Sequence, residues 1–204
     1  MFENTNWKAV SGEIMGTFFL VFFGVSALTN NVGVGNEGTE ILNFIIGLIT
    51  LTLTLFVLVH ILGPVSGCHL NPVITIPTLL SGKMSKDDAI AYICAQIIGA
   101  TAGFVLFDQL LPGNNSKLDL LIFAMIGTTF FVTSLTTSQD PASIGATLFV
   151  VSSNVFGDVN PGISLGNMIS IAVNGDTAWA FFGIVGSLLG CLWGWLIKEN
   201  IIDR

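Results

Sequence analysis

Six stretches of the chain are nearly unbroken in apolar residues, at about 9–28, 41–62, 88–111, 118–136, 141–157 and 177–197, and short polar stretches rich in Gly, Asn, Asp and Ser separate them. A helix needs about 20 apolar residues to cross a hydrocarbon core ~30 Å thick, because each residue rises ~1.5 Å. The pattern predicts six spanning helices, of which the fifth is the weakest. Two further apolar segments, Asn71 to Leu80 and Asn160 to Ile169, reach only ~15 Å as helices, half the core. The expectation is an all-α membrane protein of six transmembrane helices plus two half-helices, one domain over 1–204.

Composition narrows this further. Hydrophobic residues make up 52% of the 204 and charged ones 9%, against about 25% charged in soluble domains. Six spans leave no length for a separate soluble domain. Six Lys and Arg leave no nucleic-acid footprint, and no nucleophile, base and orienter group together as an enzyme would need. Cys68, Cys94 and Cys191 make neither a disulfide pattern nor a metal-ligand spacing. The first stretch is taken as a span, not a removable leader, because Glu13 interrupts it and no small-x-small cleavage pattern follows.

An even number of crossings returns both termini to one side. Basic residues that flank spans stay cytoplasmic. With both termini inside, Lys8, Lys83, Lys86, Lys198 and Arg204 are cytoplasmic and only Lys117 is external, as expected of a multi-pass cell-membrane protein. Small residues recur four apart at Gly12 and Gly16, Gly99 and Gly103, and Gly186, Gly190 and Gly194. That spacing lets helix backbones approach closely, and we take it as packing inside one bundle in preference to a dimerisation seam.

The chain also repeats itself. Gly12-Glu-Ile-Met-Gly-Thr-Phe18 is echoed by Ala124-Met-Ile-Gly-Thr-Thr-Phe130, Gly67-Cys-His-Leu-Asn-Pro72 by Gly157-Asp-Val-Asn-Pro161, and Gln96-Ile-Ile-Gly-Ala100 by Gly183-Ile-Val-Gly-Ser187. A first repeat of about 7–111 and a second of about 117–198 each hold three spans. Three is odd, so the second enters from the opposite face and the repeat is inverted. The second half is shorter by 23 residues between corresponding Thr and Asn positions, a loss that falls on the fourth connection and the fifth span.

Each Asn-Pro pair follows a Gly-containing turn and opens a half-helix. Asn is a preferred N-cap, and Pro suits the first helical position because its missing N–H would have no partner there. Two such helices entering from opposite faces would bring two N-termini together at the bilayer centre, each worth about half a positive charge. That arrangement repels cations, while the carboxamides of Asn71 and Asn160 offer donors to a passing oxygen.

On these residues the chain resembles the aquaporin and glycerol facilitator family, the major intrinsic proteins. Gly63-Pro-Val-Ser-Gly-Cys-His-Leu-Asn-Pro-Val-Ile-Thr75 is similar to the family's first signature, Gly157-Asp-Val-Asn-Pro-Gly-Ile-Ser-Leu-Gly166 to its second, and Glu13 with Thr17 and Gln96 with Gly99 also match. The resemblance implies an aquaporin-like right-handed bundle, a homotetramer with one pore per subunit, and no cofactor. It implies a passive channel for water or small uncharged solutes such as glycerol, centred on Asn71, Pro72, Val73, Asn160, Pro161 and Gly162. The constriction positions, carried over by their offsets from the two Asn residues, fall on Leu51, Leu148, Gly157 and Ile163.

The family's Arg after the second element is absent, since Gly162 and Ile163 follow Pro161. The resulting ring is apolar, so water, glycerol, urea and ammonia all stay open as solutes. Met125 stands where the second repeat would carry the counterpart of Glu13. A carboxylate inside a span is costly without protein donors, and Glu13 is expected to hold the loop leading to Asn71 and not to relay protons. His69 and Gln96 are expected to support the same loop. Cys68, three before Asn71, is either a thiol-block site on the inner pore or a buried small thiol. No role is assigned to His60. Asp158 is expected to be solvated in preference to attracting cations, and Asn114-Asn-Ser116 reads as a glycosylation sequon on the predicted outer loop or as a plain turn after Pro-Gly. A secondary transporter or ion channel is the competing class, because inverted repeats with broken helices build those too. A non-conducting membrane adhesion protein of the same fold is the third.

Overall fold

The computed structural model describes residues 2–27, 40–110, 117–138, 140–154 and 178–203, and every regular element among them is helical. Helix α1 is Trp7–Phe19 and continues through a π-helical turn, Leu20–Val25. It is followed by α2 (Glu40–Ser66), α3 (Pro72–Leu80), α4 (Lys86–Leu110), α5 (Lys117–Thr137), α6 (Pro141–Asn154) and α7 (Ala178–Ile197), the last running on through a second π-helical turn, Lys198–Ile202. Five are long and apolar enough to cross a bilayer, whereas α6, with 14 residues, reaches only ~21 Å. The protein is an all-α, multi-pass membrane protein. The described chain forms two units, residues 1–107 and 108–203.

In the first unit α4 lies directly on α1. A Cβ built on Gly99 would stand 2.3 Å from the carbonyl oxygen of Ile14, and one on Gly103 would stand 2.9 Å from that of Phe18. Only glycine permits that backbone contact. Stacked phenylalanines extend the seam: Phe18 on Phe22 at 5.6 Å, Phe19 on Phe23 at 5.9 Å, and Phe107 edge-on to Phe22 at 5.7 Å. An N-terminal arm is tied to the start of α4, where the Phe2 N–H donates to Asp87 Oδ2 at 2.6 Å and the Asn6 N–H to Asp88 Oδ1 at 3.3 Å.

The second unit repeats the backbone seam with one more glycine. Gly186, Gly190 and Gly194 of α7 face the carbonyl oxygens of Leu121, Met125 and Thr129, which would stand 2.3, 2.3 and 2.8 Å from a Cβ added at each glycine. The small-residue spacing is thus spent on packing inside each unit. Helix α6 opens on Asp140-Pro141, a cap followed by proline at the first helical position, with Asp140 Oδ2 accepting the Ser143 N–H at 3.0 Å. It is tied to α5 by Thr147 Oγ1, which donates to Ser134 Oγ at 2.8 Å.

Candidate functional site

Asn71 is the N-cap of α3, in extended conformation, with Oδ1 accepting the Val73 N–H at 2.9 Å. Pro72 follows as the first helical residue. Because Oδ1 is engaged by the backbone, the amide nitrogen is the end of the carboxamide that Asn71 presents, and Asn71 is exposed. Val73, Ile74 and Ile76 around it are exposed as well, while Thr75 is completely buried.

The chain reaches this cap through an unusual loop. Helix α2 is followed by Gly67, which has φ 80° and donates its N–H to the carbonyl of Gly63 at 3.0 Å, as a left-handed glycine closing a helix does. Cys68 and Leu70 are also left-handed, at φ 52° and 51°, though neither is glycine or asparagine. Left-handed non-glycine residues cost ~1–3 kcal/mol each and persist only where their surroundings hold them.

Glu13 supplies that hold. Its carboxylate is fully buried. Oε1 accepts Ser66 Oγ at 2.7 Å and the His69 N–H at 2.9 Å, and Oε2 accepts the Leu70 N–H at 2.7 Å and Gln96 Nε2 at 2.8 Å. Four donors onto one carboxylate make charge-assisted bonds that offset burying it. A second set of contacts joins the loop to α3 and α4. Thr75 Oγ1 accepts Gln96 Nε2 at 3.0 Å and lies 3.1 Å from His69 Nδ1, whose ring sits edge-on to Tyr92 at 5.3 Å. Tyr92 Oη donates to the carbonyl of Ser66 at 2.9 Å.

The three support residues expected from the sequence, Glu13, His69 and Gln96, therefore come together around the approach to Asn71. Cys68 is buried within that loop. Ser66, Thr75 and Tyr92 join them without having been expected from the sequence. Two of them carried a spacing signal: Thr75 is four residues after Asn71, one turn into α3, and Tyr92 is four before Gln96 on the same face of α4. Of the constriction positions, Leu51 lies midway along α2 against α1, and Leu148 is exposed on α6. Gly157, Asp158, Asn160, Pro161, Gly162, Ile163 and the sequon Asn114 to Ser116 lie outside the described residues. Met125 contributes its carbonyl to the seat of Gly190.

The family model for the major intrinsic proteins matches residues 1–141, which include this whole assembly. The chain belongs to the major intrinsic protein family. It is 37% identical over 106 residues to the lens fiber major intrinsic protein of Lithobates pipiens, covering 52% of this chain and 38% of that one. It is 38% identical over 109 residues to aquaporin-5 of Mus musculus, covering 53% and 38%. To aquaporin Z of Brucella melitensis it is 28% identical over 237 aligned positions, covering 96% of this chain and 98% of that one. The match thus spans little more than a third of the first two relatives and nearly all of the third. In this major intrinsic protein the signature residues hold the first Asn-Pro cap, and the carboxylate that fixes them comes from α1.

Proposed function

We propose that this chain is a passive membrane pore for water and small uncharged solutes such as glycerol. The observation that carries the reading is α3: nine residues, ~14 Å of helix, opened by Asn71 and held there through a buried carboxylate. A helix of that length ends inside a bilayer, and its N-terminus places about half a positive charge and an amide donor where a solute would pass. Relatives named as aquaporins support the same reading. Its pore centre is Asn71, Pro72 and Val73 with Asn160, Pro161 and Gly162. Its constriction is Leu51, Leu148, Gly157 and Ile163, its assembly a homotetramer, and its setting the cell membrane with both termini cytoplasmic.

A ring of two Leu, one Gly and one Ile gives a solute no cation to orient against. Such a ring admits solutes with an apolar flank, and glycerol belongs with water among the substrates. Stopped-flow light scattering of proteoliposomes, with an osmotic step for water and inward gradients of glycerol, urea and ammonia, ranks them directly. Water and glycerol are expected to exceed empty liposomes, and no excess for any of the four would overturn the reading. Ile163→Arg restores a cation and is expected to lower glycerol flux relative to water. Equal glycerol flux in that variant would remove Ile163 from the constriction.

A further inference from the structure

Helix α1 changes its winding at Leu20–Val25, where the Ser26 N–H reaches back to the carbonyl of Val21, five residues away. A π-helical turn accommodates one residue more than an α-helical turn, which rotates the side chains beyond it by about 100°. Gly24 lies in this turn and faces α2. A Cβ on Gly24 would stand 2.8 Å from Cδ1 of Leu51, 3.2 Å from Cα of Leu51 and 3.6 Å from Cβ of Thr54.

The neighbours of this contact are fixed. Phe22 and Phe23 beside Gly24 are completely buried, so rotating α1 would unpack both rings. Thr54 is buried as well, with Oγ1 donating to the carbonyl of Thr50 at 2.7 Å. The flexible partner is the end of Leu51. A methyl group at residue 24 would have to lift the Leu51 side chain off α1, and the tight approach to Leu51 Cα would part the helices by a few tenths of an ångström. Both movements carry Leu51 in the same direction, away from α1.

We propose that Gly24, presented by the π-helical turn, is a specificity-determining residue that lets Leu51 lie back on α1 and thereby sets the width of the solute path. The inference rests on the channel reading, in which Leu51 lines the constriction. A larger residue at 24 pushes Leu51 into the path and discriminates against the wider solute.

The test compares the parent, Gly24→Ala, Leu51→Ala and the double variant in proteoliposomes, reading glycerol and water permeability together. Gly24→Ala is expected to lower the glycerol-to-water ratio about fivefold, equivalent to ~1 kcal/mol of added barrier to glycerol. In the double variant the obstructing side chain is gone, and its ratio is expected to match Leu51→Ala alone. An unchanged ratio in Gly24→Ala, or equal losses of both fluxes, overturns the proposal while leaving the channel reading in place. If Gly24→Ala does not assemble, the double variant decides: assembly with the ratio of Leu51→Ala supports the proposal, and any other ratio, or failure to assemble, overturns it. A parent that passes neither solute overturns the channel reading and this inference with it.

Discussion

Glu13 shows how one side chain organises the site. Its four hydrogen bonds come from Ser66, His69, Leu70 and Gln96, residues 53 to 83 positions away along the chain. Glu13→Gln keeps the shape but offers one acceptor oxygen and turns an NH2 group towards donors. At least one buried donor is then unpaired at ~1–3 kcal/mol, and the charge assistance of the others is lost. The expected result is about 3 kcal/mol or more of lost stability, seen as a lower thermal midpoint in detergent; a midpoint equal to the parent's would mean the carboxylate does not hold the loop. Tyr92→Phe removes a single bond to the Ser66 carbonyl and should cost about 1 kcal/mol in the same assay. Glu13 stood out in the sequence because a carboxylate inside an apolar stretch is expensive without partners, whereas His69 and Gln96 stood out through the resemblance to the family signature. The hydroxyls of Ser66, Thr75 and Tyr92 did not, because a helical Ser or Thr hydroxyl can bond the carbonyl one turn back and a Tyr hydroxyl can take many partners, so none of them points to a particular one. The left-handed turns at Cys68 and Leu70 left no trace either, since neither residue favours that conformation.

Helix boundaries follow rules that act over a few residues, and they were correspondingly legible. Asn71-Pro72 announced α3, and Asn71→Ala is expected to cost ~1 kcal/mol of stability through the lost cap, measurable by the same thermal unfolding. The same grammar at Asp140-Pro141 begins α6. Packing between helices was legible only as glycine spacing. Where the helices touch, the structure supplies the consequence: Gly186→Ala or Gly190→Ala drives a Cβ to 2.3 Å from a carbonyl oxygen, which no side-chain movement relieves. Each should destabilise the fold by about 1–3 kcal/mol or prevent assembly. Gly145→Ala, with nothing within 4 Å, should leave stability unchanged or raise it by up to about 1 kcal/mol. Equal behaviour of Gly145→Ala and Gly190→Ala would show that helix propensity, not contact, governs these positions. Neither π-helical turn is legible in the sequence. A Phe-rich apolar run suits either winding, and only the structure shows that the turn at Leu20–Val25 brings Gly24 against Leu51.

Across the whole molecule the hydrophobic pattern dictated the environment. Long apolar stretches must hydrogen-bond their own backbones in lipid, so they are helices, and a chain with 9% charge has nowhere else to be. The distribution of Lys and Arg predicts that reporters fused to either end are cytoplasmic, and an accessible reporter on the external side would reverse the orientation. The fifth stretch, weak in the sequence, is the short helix α6. The sequence by itself determined the membrane setting, the helical class, the cap of α3 and the family, because these depend on composition and on spacings of a few residues. Tertiary structure decided which donors reach Glu13, which carbonyls seat the glycines and where Leu51 rests. Those outcomes depend on the close approach of helices far apart in sequence, and no local preference encodes a contact with a residue dozens of positions away.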